Sequence, residues 1–175
     1  ANPNTKDSYG VSAIMSTGDP RSLEILVKAG ADINAVDEDG NHALSRNQWW
    51  GAACSKALIR LGADINLTNK AGQTPLMLAA ERNDVPTVRA LLAAGAVKDA
   101  VDPSGSFATS YACQLGGWGD NRSKILSVLI DAGVPIVRTE TDALYIAVRA
   151  ANISLTINLL KQDLTLALTI GQLEG

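Results

Sequence analysis

Residues 69–96, NKAGQTPLMLAAERNDVPTVRALLAAGA, carry the reading that decides the fold. The stretch opens on a polar turn at Gly72 and runs into Thr74, Pro75 and Leu76. Proline lacks an amide hydrogen and has a fixed φ, so Pro75 suits the first turn of a helix. Leu76, Ala79 and Ala80 give that helix a small apolar face, and Asn83-Asp84 interrupts it. Val85, Val88, Leu91 and Leu92 then recur at helical spacing. Gly95 marks a helix end that needs positive φ. The stretch reads as turn, helix, turn, helix.

Neighbouring segments repeat this unit. Gly30-Ala31-Asp32-Ile33-Asn34 recurs as Gly62-Ala63-Asp64-Ile65-Asn66, with weaker echoes from Gly95 and Gly133. These glycines are spaced 32, 33 and 38 residues apart, and a regular period of this size is the mark of a stacked-repeat architecture. An apolar stripe precedes each one: Leu23-Ile25-Leu26-Val27, Leu58-Ile59-Leu61, Leu91-Leu92, and Ile125-Leu126-Val128-Leu129-Ile130. A second glycine series, Gly40, Gly72 and Gly105, marks the following turns. One helix pair cannot bury its apolar stripe alone. Stacking copies buries both faces, so stability comes from neighbour interfaces.

On these residues the chain resembles the ankyrin-repeat family. Gly72-Gln73-Thr74-Pro75-Leu76-Met77-Leu78-Ala79 follows that family's Gly-x-Thr-Pro-Leu-His-x-Ala opening, with Met77 in place of His. Both Gly-Ala-Asp-Ile-Asn segments match its close. The resemblance implies an all-α ankyrin-repeat solenoid of about five helix–turn–helix repeats with β-hairpin-like loops. The repeats fall at 8–36, 37–68, 69–101, 102–138 and 139–163, followed by a C-terminal cap at 164–175, all in a single domain spanning 1–175. The second unit puts His42 at the Thr position. The fourth replaces Thr-Pro with Phe107-Ala108 and carries an extra loop around Trp118. The tail alternates Leu164, Leu166, Leu168 and Ile170, as a short strand or a capping segment would.

Composition agrees with a packed helical domain. The 175 residues are 46% hydrophobic, 19% charged and only 4% aromatic, which is globular and argues against disorder. A net charge of −3 argues against a nucleic-acid or anionic-membrane partner. No apolar run reaches the ~20 residues that span a bilayer. Cys54 and Cys113 are too few for a disulfide framework and read as free thiols. Methionine removal, a cleaved signal peptide or a chosen boundary would each give a start at Ala1. The compartment therefore stays open: cytoplasmic by default, exported or periplasmic if a signal peptide preceded it.

The templates for catalysis fail. His42 is the one histidine and the cysteines sit two repeats apart, so no metal cluster is expected. Asp37-Glu38-Asp39-Gly40-Asn41 imitates a calcium loop, but its glycine stands fourth and Gln48 occupies the place of the bidentate Glu. Gly116-Gly117-Trp118-Gly119 follows no strand, and no Gly-x-Ser-x-Gly elbow exists. The triplets at Asn66, Asn121 and Asn152 match glycosylation acceptors by chance. The expectation is a protein that is not an enzyme and uses no cofactor or metal.

The resemblance implies recognition through the concave surface, made of the turn tips and each unit's first helix. Carried over position by position, this gives the tip residues Asp37, Glu38, Asp39, Asn41, Asn69, Lys70, Gln73, Asp102, Pro103, Ser104 and Ser106. On the first helices it gives Trp49, Trp50, Glu81, Arg82, Gln114, Leu115 and Arg149. Adjacent helical residues point about 100° apart, so Trp49 and Trp50 cannot both enter one core stripe, and tryptophan is enriched at binding hot spots. Trp118, in the inserted loop, is a further contact candidate. His42 reads as a hydrogen-bonded link between turn and helix. The expected function is protein–protein interaction with a folded partner, as a monomeric, stand-alone inhibitor, immunity or regulatory protein. The alternative is a scaffolding segment of a larger protein.

Overall fold

The computed structural model describes residues 2–46, 50–114, 120–136, 154 and 156–161. Its helices come in pairs: α1 (Ala13–Ser16) with α2 (Pro20–Lys28), α3 (Ala43–Arg46) with α4 (Ala52–Arg60), α5 (Pro75–Glu81) with α6 (Val85–Ala93), and α7 (Ala108–Gln114) with α8 (Asp120–Asp131). The first helices of the pairs pack in one row and the second helices in another. Among the described residues there is no strand, only an isolated bridge between Lys6 and Ser12. The fold is an all-α solenoid. The fifth repeat and the cap fall outside the described residues, except that 154 and 156–161 are helical, with Leu159 buried.

Each part of the repeat has a physical job. At the opening of α5, Thr74 Oγ1 accepts from the Met77 amide at 3.3 Å and caps the helix. Asp19 and Asp84 do the same for α2 and α6. At the close of α2, Gly30 has φ +88°. Its amide bonds Val27 O at 3.0 Å, while the Ala31 amide bonds Leu26 O at 2.9 Å. That pair of bonds is a Schellman stop, and it explains the positive-φ glycine at each close. The Asn that ends the segment is a staple: Asn34 Oδ1 accepts from the Asp64 amide at 2.8 Å, and Asn66 Oδ1 from the Val97 amide at 2.9 Å. Asn4 does the same for the Asp32 amide, so the solenoid's stapling begins in the N-terminal segment.

The core is continuous through the pairs, with Ile14, Leu23, Leu44, Leu58, Leu76, Leu91, Ile125 and Leu126 almost wholly buried. Burying one such side chain stabilises by about 1.5–3 kcal/mol. Ala79, Ala80 and Ala112 are buried where α5 meets α7, so small side chains set the approach of the first helices. Ile25 does not join its stripe: it is 66% exposed, because Leu23, Leu26 and Val27 already occupy the inward arc of α2. Cys54 and Cys113 are free thiols, Cys54 buried and Cys113 partly so.

Candidate functional site

The turn tips are built on one device. Asp7, Asp37, Asn69 and Asp102 each stand three residues before a turn glycine, and each accepts with Oδ1 from the amides two and four residues on. The bonds are 3.0 and 2.8 Å for Asp37 and 2.8 and 2.9 Å for Asp102. Asp7 and Asn69 repeat them. Such turns give the backbone a local partner and fix the tip without a strand. Successive tips then touch: the Glu38 amide donates to Tyr9 O at 3.2 Å and the Lys70 amide to Asp39 O at 2.9 Å. The approach is so close that a Cβ on Gly40 would lie 2.9 Å from the Lys70 nitrogen.

The series changes at the fourth tip. Pro103 occupies the place of Glu38 and Lys70 and has no amide hydrogen to give. Pro135 likewise stands where Asp64 and Val97 donate to the stapling Asn. Tyr111 spans this seam instead, accepting from Gln73 Nε2 at 3.2 Å and donating to Asp102 Oδ2 at 2.6 Å. Gln73 Oε1 in turn accepts from Asn69 Nδ2 at 2.9 Å, which also donates to Asn41 Oδ1 at 3.1 Å. A single chain of hydrogen bonds therefore runs from Asn41 to Asp102 across three repeats.

The electrostatics follow from these bonds. Burial opposes ionisation of Asp102, but hydrogen bonds from Ser104, Tyr111 and Ser106 outweigh it and bring its pKa down to about 2. Asp37 behaves alike: bonds from Asn41, Arg46 and Asp39 overcome its burial and hold the carboxyl below its usual range. The Tyr111 hydroxyl is pushed up by burial and by the bond to Asp102. Burial lowers the Arg82 pKa, while Glu81 and Asp84 oppose that shift.

The sequence-derived residues separate into groups. Glu38, Asp39, Lys70 and Ser104 face solvent at the tips. Asn41 and Gln73 are half-buried in the hydrogen-bond chain, and Glu81 and Arg82 are half-buried at the end of α5. Asp37 departs from the expectation: it is 7% exposed, and its carboxylate is spent on its own turn and on Arg46. It builds the tip rather than facing out from it. Trp50 lies not on a first helix, as expected, but in the turn between α3 and α4; it is 43% exposed, and its ring lies over Gly18, where an added Cβ would sit 2.1 Å from Cε3. Trp49, Leu115, Trp118, Arg149 and the side chain of Gln114 fall outside the described residues.

His42 also differs from its expected role. It is fully buried beside the Leu67 backbone, and neither ring nitrogen makes a hydrogen bond of ordinary geometry. Burial pushes its pKa below the ordinary value, against the opposite pull of Leu67 and Asp64.

A hollow of about 380 Å³ opens between the tips and the first helices of repeats one to three. Asn41, Asn69 and Gln73 line its tip side; Met15, Ser16, Ser45, Arg46, Leu78 and Arg82 line its helix side; Trp50 forms a wall. Arg82 Nη1 donates to Ser45 O at 3.2 Å, tying α5 to α3. Sequence reasoning missed Met15, Ser16, Ser45, Arg46 and Leu78 here, and Tyr111 at the seam. The signal was present: six residues after each turn glycine stand Ser16, Arg46, Leu78 and Tyr111, whereas four residues after stand Ile14, Leu44, Leu76 and Thr109, all buried. Within the repeat, the first position varies in chemistry while the second holds the core.

Comparison with known proteins fits this architecture. A family model described as ankyrin repeats (3 copies) matches residues 11–102 and 48–140. Ankyrin repeat protein YahD of Escherichia coli (strain K12) is 29% identical over 100 residues, covering 57% of this chain and 50% of that protein. Mouse ankyrin repeat domain-containing protein 63 is 32% identical over 100 residues, covering 50% of this chain and 25% of that protein. The aligned stretches thus span half of the first relative and a quarter of the second. The crystal structure of an ankyrin repeat domain from Acinetobacter baumannii AYE superposes with a TM-score of 0.73 at 28% identity, covering 91% of this chain and 85% of that one.

Proposed function

Because the chain belongs to the ankyrin-repeat family, a protein-interaction fold, we propose that it binds a folded protein partner through its tips and first helices. The observation that carries this reading is the hydrogen-bond chain from Asn41 through Asn69, Gln73 and Tyr111 to Asp102. It holds the half-buried polar groups in place before any partner arrives, and ordering that is already complete is not charged against affinity. Glu38, Asp39, Lys70 and Ser104 project from that frame as the direct contacts, with Trp50, Glu81 and Arg82 behind them. The activity is binding rather than catalysis. Within it, we favour a stoichiometric binder that blocks another protein. Among the described residues no helix is long and apolar enough to cross a membrane.

A second reading has its own support. The curated relatives are longer than the segments matched here, which favours a scaffolding segment whose partner lies elsewhere in the same polypeptide or assembly. Site-specific photo-crosslinking tests the surface in either case. A benzophenone side chain at Asp39, Lys70 or Ser104 is expected to trap a partner, whereas one at Lys56 or Arg89 on the second helices is not. Adducts confined to Lys56 and Arg89 would place the interface on the wrong face.

A further inference from the structure

The hollow between the first three repeats has a charge opposite to that of the chain. The protein carries a net charge of −3, and the exposed tip residues Glu38 and Asp39 are acidic. Yet among the described residues two arginines and no carboxylate line the hollow. Of the acidic groups near these arginines, Glu81 and Asp84 act on Arg82, and Asp37, the partner of Arg46, is hidden behind it. The Asp37 side chain is 2% exposed and the Arg46 side chain 37%, so this ion pair presents its cation and conceals its anion. Arg82 is fixed on the other side by its bond to the Ser45 carbonyl. Guanidinium groups held in this way bind carboxylates through charge-assisted hydrogen bonds.

The remaining walls match what would carry that carboxylate in. Trp50, Met15 and Leu78 supply apolar surface, and the volume of about 380 Å³ lies near the lower end of ligand-sized pockets. It suits one or two side chains rather than a cofactor. We propose that this hollow receives the carboxylate of a glutamate from an acidic segment of the protein partner. The two side-chain methylenes lie along Trp50, and the carboxylate lies between Arg46 and Arg82. Aspartate, one methylene shorter, binds less well. The Glu38 and Asp39 tip is then placed to meet a basic residue flanking that glutamate, which orients the segment. This inference rests on the reading of the tips and first helices as the docking face, and adds what they recognise.

The test needs no knowledge of the partner. The full chain, labelled with ¹⁵N, is titrated with N-acetyl-L-glutamate N-methylamide and separately with the glutamine analogue. The glutamate probe is expected to shift the Arg46 and Arg82 Nε–H and Trp50 Nε1–H resonances, with a dissociation constant on the order of millimolar. The glutamine probe should bind about tenfold more weakly. Raising salt from about 0.02 to about 0.5 M should weaken the glutamate probe alone, as screening of an exposed charge requires. Arg82→Gln should remove the preference between the probes. Because Arg82 also ties α5 to α3, the salt comparison on the unaltered chain stands independently of that variant. Equal shifts from both probes, or no shift at these three groups, overturn the carboxylate proposal. Either result leaves the docking face to be judged by the crosslinks, which would condemn it only by gathering on Lys56 and Arg89.

Discussion

The tip-to-tip contacts can be separated from turn conformation by comparing two glycines. Gly30 and Gly40 both sit at positive φ, +88° and +79°. An added Cβ at Gly30 meets nothing within 4 Å, whereas at Gly40 it would lie 2.9 Å from the Lys70 nitrogen. Forcing a non-glycine residue into this region costs about 1–2 kcal/mol, partly offset by the roughly 0.4–1 kcal/mol gained by restricting the unfolded chain. Gly30→Ala should therefore destabilise by about 1 kcal/mol. Gly40→Ala should add the loss of the Lys70 amide bond to Asp39 O, whose net worth is about 0.5–1.5 kcal/mol, for a total near 2 kcal/mol. Urea unfolding followed by far-ultraviolet circular dichroism measures both, provided the slopes agree with that of the parent. If Gly40→Ala is no more destabilised than Gly30→Ala, the tips do not support one another and the ladder described above is not a stabilising feature.

Three further outcomes follow from individual residues. Tyr111→Phe should cost about 1–2 kcal/mol by leaving Gln73 and Asp102 without their bridge, read from the urea midpoint. It should also flatten the acid limb: Asp102 has a folded pKa near 2 against 3.8 ordinarily. Its contribution is therefore complete above pH 3.8 and lost as pH falls toward 2. His42 acts at milder pH. Its folded pKa lies below the ordinary 6.5, so the unfolded chain binds the extra proton, and stability should decline as pH drops below 6.5. Equilibrium unfolding at about pH 7.5 and about pH 5.5 should show this slope, and His42→Leu should abolish it. Ala79→Leu, at a buried position between α5 and α7, should overpack the stack by about 1–3 kcal/mol, seen as a lower thermal midpoint.

The repeating frame was legible because its causes are local. A proline at the first helical position, a glycine at a helix end and an apolar 3.6-residue stripe each act over a few neighbours, so they leave a direct imprint on sequence. The origin of the Gly-Ala-Asp-Ile-Asn segment was not legible in the same way. Its Asn bonds an amide about 30 residues away, in the next copy, and only the stacked geometry brings the two together. Burial of Asp37 was hidden for a related reason: Asp37-Glu38-Asp39 looks like one solvated acidic run, yet the first carboxylate turns inward to satisfy its own turn. Ile25 shows that apolar identity alone does not fix orientation, because an arc of α2 wide enough for three side chains leaves a fourth outside.

The hollow separates the residues that make one repeat unlike the next from those that build the frame. The positions that hold the stack vary little: the buried Ile14, Leu44, Leu76 and Thr109 stand four places after the turn glycine, and an Asp or Asn stands three places before it. The position six places after it differs from repeat to repeat, as Ser16, Arg46, Leu78 and Tyr111, although Leu78 and Tyr111 are themselves buried. Differences there have two separable effects. Tyr111 spends its hydroxyl on a seam where two prolines have removed amide donors, so its variation serves the fold. Arg46 masks the buried Asp37 and presents its own charge outward, which serves the fold and, on the proposed reading, recognition as well. Stacking thus converts one variable position per repeat into a contiguous row of unlike chemistries. On the proposed reading, that row sets specificity for a partner, and the turn geometry of each repeat holds it in place.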